Sequence, residues 1–352
     1  MIKNVNLNKD NKYSFSQYVK KIYLKFISVS FFLLSKITPF FYTFHIRPKK
    51  KINIPQLRSY YKFKIGIVIQ GKINNFKYTF DTIKFYLENF SNVAIILSTW
   101  KGLSIKEISL IKNLKVYVIE NIEPINKKNW LGGNLNAQII STKEGIKLAK
   151  NIGCDYVLKT RVDQRIYSNN IFHHLINLLE VFPVKNFYKS FLKQRIVAIN
   201  FDAPIFEYYR ISDMLQFAKS SDLLNFWDID LFVENDLKNI SLIKKNIFTH
   251  SCLTMKFLKK NNINYKWSIL DSFRILSELF CIVDKEFFDL HWNKYDCKEY
   301  RWKSYKNPRQ TFEINFYFWL SLYKNYKLYY KANKSKINLI LKQNLKQDIW
   351  SQ

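Results

Sequence analysis

The sequence predicts an α/β fold in which a mostly parallel sheet is flanked by helices. Through the first half of the chain, apolar runs of strand length alternate with segments of helical periodicity. Strands separated by helices form parallel sheets with right-handed crossovers. All seven glycines lie between Gly66 and Gly153. Because glycine permits tight turns and close backbone approach, this confinement indicates a ligand-binding half; chance in a glycine-poor chain is the alternative.

The individual elements follow from two patterns. Continuous apolar runs predict strands that are buried on both faces, and apolar residues at helical spacing predict helices. The predicted strands are 64–70, 93–99, 115–120, 156–161 and 195–201, and the predicted helices are 79–90, 104–113, 135–150, 169–182 and 312–350. Residues 202–300 are rich in aromatic and acidic side chains and predict short helices joined by loops.

The positive charge is concentrated at the two ends of the chain. The net charge is +30, and residues 1–64 hold fourteen lysines and arginines against one acid, while residues 321–352 hold seven lysines against one acid. Such a basic rim favours an anionic membrane surface as partner. The chain lacks zinc-finger spacing and arginine-rich blocks, so nucleic acid is not the expected partner.

The N-terminal stretch 20–51 has the apolar length of a membrane span. However, Lys25 and Lys36 lie inside it and Pro39 interrupts it, and a lysine in the hydrocarbon region is costly. The stretch has no small-residue cleavage site, so a secretory signal is not expected. Two readings stay open for this stretch: an interfacial anchor whose lysines reach the headgroups, and a helix packed on the catalytic domain.

The four cysteines are widely spaced, and no pair has C-x-x-C spacing. Zinc sites and redox motifs are therefore not expected. The sequence predicts reduced thiols in a cytoplasmic protein.

The richest polar cluster follows a predicted strand. The apolar run Tyr156–Leu158 leads directly into Lys159, Arg161, Asp163 and Arg165. In open α/β sheets, ligands bind at the carboxyl ends of the strands. A carboxylate among cations suits a metal–diphosphate ligand: Asp163 would hold Mn²⁺ or Mg²⁺, and the cations would hold phosphate oxygens. The alternative is a surface salt bridge at a strand end.

Other polar residues are expected at the same edge. Gln70 and Gly71 end the first strand, Thr99 ends the second, and Asn136 and Gln138 open a helix after a Gly-Gly pair. Each alone is more often structural, but consecutive strand ends are where a nucleotide binds in such sheets. The candidate nucleotide-sugar contacts are therefore Gln70, Gly71, Thr99, Asn136, Gln138, Lys159, Arg161 and Arg165.

Catalytic candidates come from the second half of the chain. A general base has to accept the proton of the acceptor hydroxyl, and Asp213 is the preferred carboxylate, with Asp271 and Glu278 as further candidates. The alternative for Asp213 is a helix N-cap. The dinucleotide, P-loop, zinc-protease and serine-hydrolase motifs are all missing, which favours a metal-assisted transferase.

Several stretches resemble the WavE family of lipopolysaccharide-core and polysaccharide synthesis proteins. They include IGIVIQGKI (65–73), ILSTW (96–100), QIISTKEGIKLAKNIGCDYVLKTRVDQRIY (138–167) and SDMLQFAKSSDLLNFW (212–227). The resemblance spans roughly residues 64–300 and implies a GT-A-like, Rossmann-related glycosyltransferase. The Asp-x-Asp of GT-A enzymes reads Asp163-Gln164-Arg165 here. Arg165 would therefore partly replace the metal at the leaving diphosphate.

These inferences combine into one expected function. Residues 61–310 would form the transferase, with a nucleotide-binding half (61–168) and an acceptor half (169–310), between basic extensions 1–60 and 311–352. The enzyme would move a sugar from a nucleotide-sugar donor to a lipopolysaccharide, lipooligosaccharide or other surface-polysaccharide acceptor, at the inner face of the cytoplasmic membrane. The alternatives are a nucleotidyltransferase of sugar activation and a non-catalytic, membrane-associated basic adaptor.

Overall fold

The structure is a computed structural model in which the chain divides into two compact units, Met1–Asn53 and Ile54–Gln352. The residues that it describes are 15–37, 62–124, 134–201, 203–205, 207–233, 249–294 and 313–346. In the first unit, α1 (Phe15–Ile37) exposes large apolar side chains such as Phe26, Phe32 and Ile37. Among the described helices, none is long and apolar enough to cross a membrane.

The second unit alternates strands and helices. Its strands are β1 (Ile65–Gln70), β2 (Val93–Trp100), β3 (Tyr117–Asn121), β4 (Tyr156–Arg161), β5 (Gln164–Ile166), β6 (Ile196–Ile199), β7 (Gln216–Lys219), β8 (Phe280–Val283) and β9 (Leu290–Trp292). Its helices are α2 (Phe76–Asn89), α3 (Ile105–Lys112), α4 (Leu135–Asn151), α5 (Ile171–Val181), α6 (Ser220–Trp227), α7 (Thr249–Lys260), α8 (Ile269–Leu279) and α9 (Phe316–Lys346).

Seven strands form the central sheet, in the order β3-β2-β1-β4-β7-β6-β8. β1 to β4 are mutually parallel, β7 is antiparallel to both β4 and β6, and β6 is parallel to β8. Six of the seven strands therefore point the same way, and their carboxyl ends meet at one edge. This confirms the predicted α/β fold with a mostly parallel sheet flanked by helices.

Residues 202–300 depart from the prediction of short helices joined by loops, because they also contain strands. β7 and β8 have four residues each and β9 has three, so their apolar runs are too short to separate strand from buried helix by periodicity. The segment after Asp213 leads into β7, so the N-cap reading of that aspartate is wrong.

Helix α4 lies unusually close to the sheet. A Cβ on Gly145 would lie 2.4 Å from Val68 Cγ1, and a Cβ on Gly66 would lie 2.9 Å from Ala149 Cβ. These two glycines therefore let the helix approach β1, and this packing explains their presence without a bound ligand. Gly132 and Gly133 lie outside the described residues.

A continuous hydrophobic core joins both halves of the second unit and extends to its C-terminal helix. Trp319 and Leu322 of α9 are fully buried, and Phe182 packs edge-on against Trp319 with a centroid distance of 5.1 Å. Three cysteines, Cys154, Cys252 and Cys281, are free and buried. The fourth, at position 297, lies outside the described residues.

Candidate functional site at the carboxyl edge of the sheet

The edge at which β1, β2 and β4 end brings several predicted site residues together. Gln70 is opposite Ser98 on one side and Arg161 on the other. Gly71 follows with φ +121°, a conformation that favours glycine. Its N–H donates to the Ser98 carbonyl at 3.1 Å, and Thr99 Oγ1 donates to its carbonyl at 2.9 Å. The turn after β1 is thus held tightly against the end of β2.

The polar side chains of this turn are already engaged by the protein. Gln70 is 3% exposed, and Ser141 Oγ on α4 donates to its Oε1 at 2.9 Å. Thr99 is 1% exposed. These contacts mean that Gln70 and Thr99 support the turn through hydrogen bonds inside the protein, and a ligand contact by Gly71 stays a prediction.

Arg161 and Asp163 form a bidentate ion pair at the tip of β4. Arg161 Nε lies 3.0 Å from Asp163 Oδ1 and Nη2 lies 3.1 Å from Oδ2. The guanidinium carbon lies 5.5 Å from the centre of the Trp292 ring. Burial alone would raise the pKa of Asp163, but the hydrogen bond and charge of Arg161 outweigh it and lower the pKa overall. The pair is therefore ionised at neutral pH.

Lys159 lies beneath this edge. It is fully buried, its Nζ donates to the Asp213 carbonyl, and the ammonium lies 5.0 Å from the centre of the Trp227 ring. Burial lowers the pKa of Lys159 to about 8, a shift opposed by the charge of Asp213. Lys159 therefore ties the Asp213 loop to β4 and adds positive potential, without reaching the surface.

Arg165 does not join the pair at the strand tip. β4 ends at Arg161, a turn follows, and β5 begins a separate two-stranded sheet with β9. Arg165 is 2% exposed; its Nε donates to Thr82 Oγ1 at 2.9 Å and its Nη2 to the Tyr78 carbonyl at 3.2 Å, both on α2. The turn ends the strand alternation, so this arginine faces α2 instead of a diphosphate.

The two amides at the start of α4 have different surroundings. Asn136 forms a pair of hydrogen bonds with the Phe232 backbone, donating to the carbonyl at 2.9 Å and accepting from the N–H at 2.7 Å. Gln138 Oε1 is buried and lacks a hydrogen-bond donor among the described residues. Asn136 is thus structural in this conformation, whereas the Gln138 acceptor is not used by the described residues and its contact with a nucleotide sugar stays a prediction. Asn134 occupies the N-cap position, although its side chain makes no capping hydrogen bond.

Asp271 and Glu278 belong to a separate cluster on α8. Arg274 lies between them, with Nε 2.6 Å from Asp271 Oδ1 and Nη1 3.5 Å from Glu278 Oε2. Glu278 also accepts from Tyr188 and Lys185. It precedes β8, which runs parallel to β6, so it lies at the amino edge of the sheet. These two carboxylates neutralise cations there and are not brought to Asp163.

The described residues offer few ligands for a metal. Within the ranges that the structure describes, there is no group of three histidine, cysteine, aspartate or glutamate side chains that could hold an ion. Both carboxylate oxygens of Asp163 accept from Arg161. A lone carboxylate already paired with arginine does not by itself fit a bound divalent cation, so Mn²⁺ or Mg²⁺ dependence stays a prediction.

Three site residues were not found from the sequence: Ser141, Trp227 and Trp292. Trp292 reaches Arg161 because β9 pairs with β5, placing Trp292 opposite Gln164. That pairing joins segments more than a hundred residues apart. No local pattern signals it. Ser141, by contrast, lies within the predicted helix 135–150, and its partner Gln70 was itself a predicted site residue.

Comparisons with solved structures give weak similarities to enzymes that handle nucleotides. A cytidylyltransferase from Leptospira borgpetersenii has 13% identity and a TM-score of 0.34, over 78% of this chain and 97% of that one. A putative nucleotide-diphospho-sugar transferase from Desulfovibrio desulfuricans has 8% identity and a TM-score of 0.37, over 79% and 98%. TM-scores this low do not assign a function to the chain. No curated protein has significant sequence similarity to it.

The family comparison is specific. The family described as WavE lipopolysaccharide synthesis matches residues 65–271. The match begins with β1 and includes Gln70, Arg161, Asp163 and Asp213, so it contains the strand ends and the ion pair at the carboxyl edge. It covers more than half of the sequence, and the chain therefore belongs to the WavE lipopolysaccharide synthesis family.

Proposed function

We propose that the protein is a glycosyltransferase that moves a sugar from a nucleotide-sugar donor to a lipopolysaccharide, lipooligosaccharide or related surface-polysaccharide acceptor. The observation that carries this proposal is the Arg161–Asp163 pair, fixed at the carboxyl edge of a mostly parallel sheet. That edge is where ligands bind in open α/β folds. Membership of the WavE family supplies the link to lipopolysaccharide synthesis.

The donor diphosphate would bind against Arg161. Its guanidinium is paired with Asp163 and lies close to the Trp292 ring, and its side chain is 21% exposed. Arginine recognises phosphate oxygens with defined geometry, and a guanidinium fixed in advance loses little entropy on binding. Lys159 adds a buried positive charge below. Together these cations would stabilise the charge that develops on the leaving diphosphate.

Asp213 is the proposed general base. Lys159 of β4 donates a hydrogen bond to the Asp213 backbone carbonyl. This contact ties the Asp213 loop to the strand that carries Arg161. Asp213 is 1% exposed, and acceptor binding has to uncover it. In the reaction, the acceptor oxygen bonds to the anomeric carbon, the bond from that carbon to the diphosphate oxygen breaks, and the hydroxyl proton passes to Asp213.

The basic and apolar ends of the chain would bring the enzyme to its lipid-linked acceptor. On α1, Phe26 is 71% exposed and Phe32 is 59% exposed, and Lys36 lies in the last turn. Exposed aromatic residues beside lysines suit the headgroup region of an anionic membrane. These features support the proposal that the enzyme is a peripheral protein on the inner face of the cytoplasmic membrane.

The test is product analysis with the purified full-length protein, a panel of nucleotide sugars and a lipopolysaccharide-core acceptor, with Mn²⁺ and with EDTA. Glycosyl transfer releases a nucleoside diphosphate, and Asp163→Asn should lower kcat/KM by about a hundredfold, on the order of 3 kcal/mol of transition-state stabilisation. Asp228→Asn is the matched control, because Asp228 is a half-exposed carboxylate paired with Lys143 and Lys260.

Other outcomes have distinct meanings. Release of pyrophosphate from a nucleoside triphosphate and a sugar phosphate would identify a nucleotidyltransferase instead. Unchanged transfer by Asp163→Asn would refute the assigned site. Asp213→Asn should abolish turnover while donor binding persists, and a loss of donor binding without a fall in kcat would make Asp213 a positioning residue only.

A further inference from the structure

A polar cavity lies at the amino edge of the sheet, opposite the edge that carries Arg161 and Asp163. Its walls include Arg195, which immediately precedes β6, and Glu278, which closely precedes β8. Both strands run in the same direction as β4, so their starting ends face away from its tip. The cavity has a volume of about 250 Å³. The donor reaction proposed above does not use it.

Arg195 is the unusual residue of this cavity. It is 1% exposed, and its Nη1 donates to the Pro183 carbonyl at 2.8 Å. Its Nε is buried and lacks an acceptor among the described residues. Its guanidinium carbon lies 4.9 Å from the centre of the Tyr323 ring. Burial lowers the pKa of Arg195, and the charges of Tyr323, Cys281 and Glu278 only partly oppose that shift. A buried cation in this condition is stabilised by an anion.

The rest of the lining supplies further positive charge. Lys185 and Lys324 line the cavity with Arg195, and the carboxylate Glu278 is already paired with Lys185 and Arg274. The three lining cations therefore exceed the one lining acid by two charges. An excess of positive charge that includes an arginine favours a phosphoryl group as ligand, because arginine pairs readily with phosphate oxygens.

The C-terminal helix begins a new segment at the same place. α9 is interrupted at Asn325, between the lining residues Lys324 and Tyr326. Asn325 Oδ1 accepts from the Leu328 N–H at 2.9 Å and so caps the following segment. The start of a helix carries partial positive charge and favours anions. The break therefore adds to the field that Arg195 and the lysines produce.

We propose that this cavity is a binding site for a phosphorylated small molecule about the size of a sugar phosphate, separate from the donor site. The volume of about 250 Å³ is slightly below the range of about 300–1,000 Å³ typical of sites for drug-sized ligands. It exceeds what a phosphate alone requires. Tyr323 and Tyr326 supply aromatic surface that suits the C–H face of a sugar ring.

The experiment is isothermal titration calorimetry of the full-length protein with inorganic phosphate and with glucose 1-phosphate, at constant ionic strength. Lys324→Glu should weaken binding of both probes by about tenfold or more, since it replaces an attractive charge with a repulsive one. Lys327→Glu is the control: it makes the same charge change on the same helix at an exposed position outside the cavity lining. Arg195→Gln should abolish binding.

Circular dichroism shows whether Arg195→Gln is folded. If it is not folded, the affinities of Lys324→Glu and its control decide whether the site exists. Saturable binding that Lys324→Glu weakens and Lys327→Glu leaves intact supports the site. Tighter binding of glucose 1-phosphate identifies a sugar phosphate, and equal binding identifies the phosphoryl group itself. Equal affinities for the two lysine variants, or no saturable binding, overturn the proposal. Arg161→Gln should bind both probes normally, which separates this result from failure of the proposed donor site.

Discussion

Gly145 lies where α4 crosses β1 and β2, and replacing it with alanine tests how that helix is held. The new Cβ would lie 2.4 Å from Val68 Cγ1 and 3.3 Å from Ser98 Cβ. Val68 is fully buried and branched at Cβ, so it has little freedom to turn aside. The helix would have to move away from the sheet, carrying with it Ser141, the hydrogen-bond donor to Gln70.

The expected cost follows from two opposing effects. Alanine in place of glycine inside a helix is favourable by about 1 kcal/mol. Overpacking a buried contact is unfavourable by about 1–3 kcal/mol, and the 2.4 Å approach to the fully buried, β-branched side chain of Val68 puts this contact at the upper end. We therefore expect Gly145→Ala to lower the free energy of unfolding by about 1–2 kcal/mol, measured by urea denaturation at 25 °C.

A double-mutant cycle with Val68→Ala isolates the contact. Val68→Ala removes Cγ1 and leaves room for the new methyl group. The loss of unfolding free energy in the double variant should therefore be about 1 kcal/mol smaller than the sum of the two single losses. If the two single effects on the free energy of unfolding add within about 0.5 kcal/mol, or if Gly145→Ala is more stable than wild type, the packing argument is refuted. A ligand-binding explanation of this glycine would then be favoured again.

Three further predictions concern hydrogen bonds, pH and thiols. Asn136→Ala should lower the free energy of unfolding by about 1–3 kcal/mol in urea denaturation, because the buried Phe232 N–H and carbonyl lose their partner. Burial acts to raise the pKa of Asp163, but Arg161 lowers it overall. The ion pair therefore stabilises the protein fully above the pKa of the unfolded state, about 3.9, and this stabilisation is lost as the pH falls through the lower pKa of the folded state. The stability difference between wild type and Asp163→Asn should accordingly stay constant from about pH 8 to 5 and shrink below about pH 4. Burial raises the pKa of Cys281 to about 12 and that of Cys154 to about 11, so mass spectrometry should find neither thiol alkylated at pH 8 until urea unfolds the protein.

The parallel part of the fold was predictable from local sequence. β1, β2 and β4 are continuous apolar runs because both faces of a central parallel strand are buried, and their observed bounds agree with the predicted ones within one residue. Since parallel carboxyl ends meet at one edge, Gln70, Thr99 and Arg161 were placed together by the same argument.

The rest of the site depended on contacts that the local pattern does not contain. Arg165 has the same strand parity as Arg161, but the turn between β4 and β5 breaks that alternation and directs it to α2. The position of β7 between β4 and β6 depends on a long-range antiparallel pairing. The confinement of the glycines to the first half predicted a ligand-binding half, yet Gly66 and Gly145 are required by helix packing.

The most direct test of the central claim is calorimetric titration of the protein with nucleoside diphosphates, comparing wild type with Arg161→Gln. Arg161 is held at the tip of β4 by Asp163, and its loss should weaken diphosphate binding by about tenfold or more, as expected for a charge-assisted contact. Lys150→Gln, which removes the same charge from the exposed last turn of α4, should bind as wild type. Equal affinity of Arg161→Gln and wild type would contradict the assignment of the donor site to this edge of the sheet.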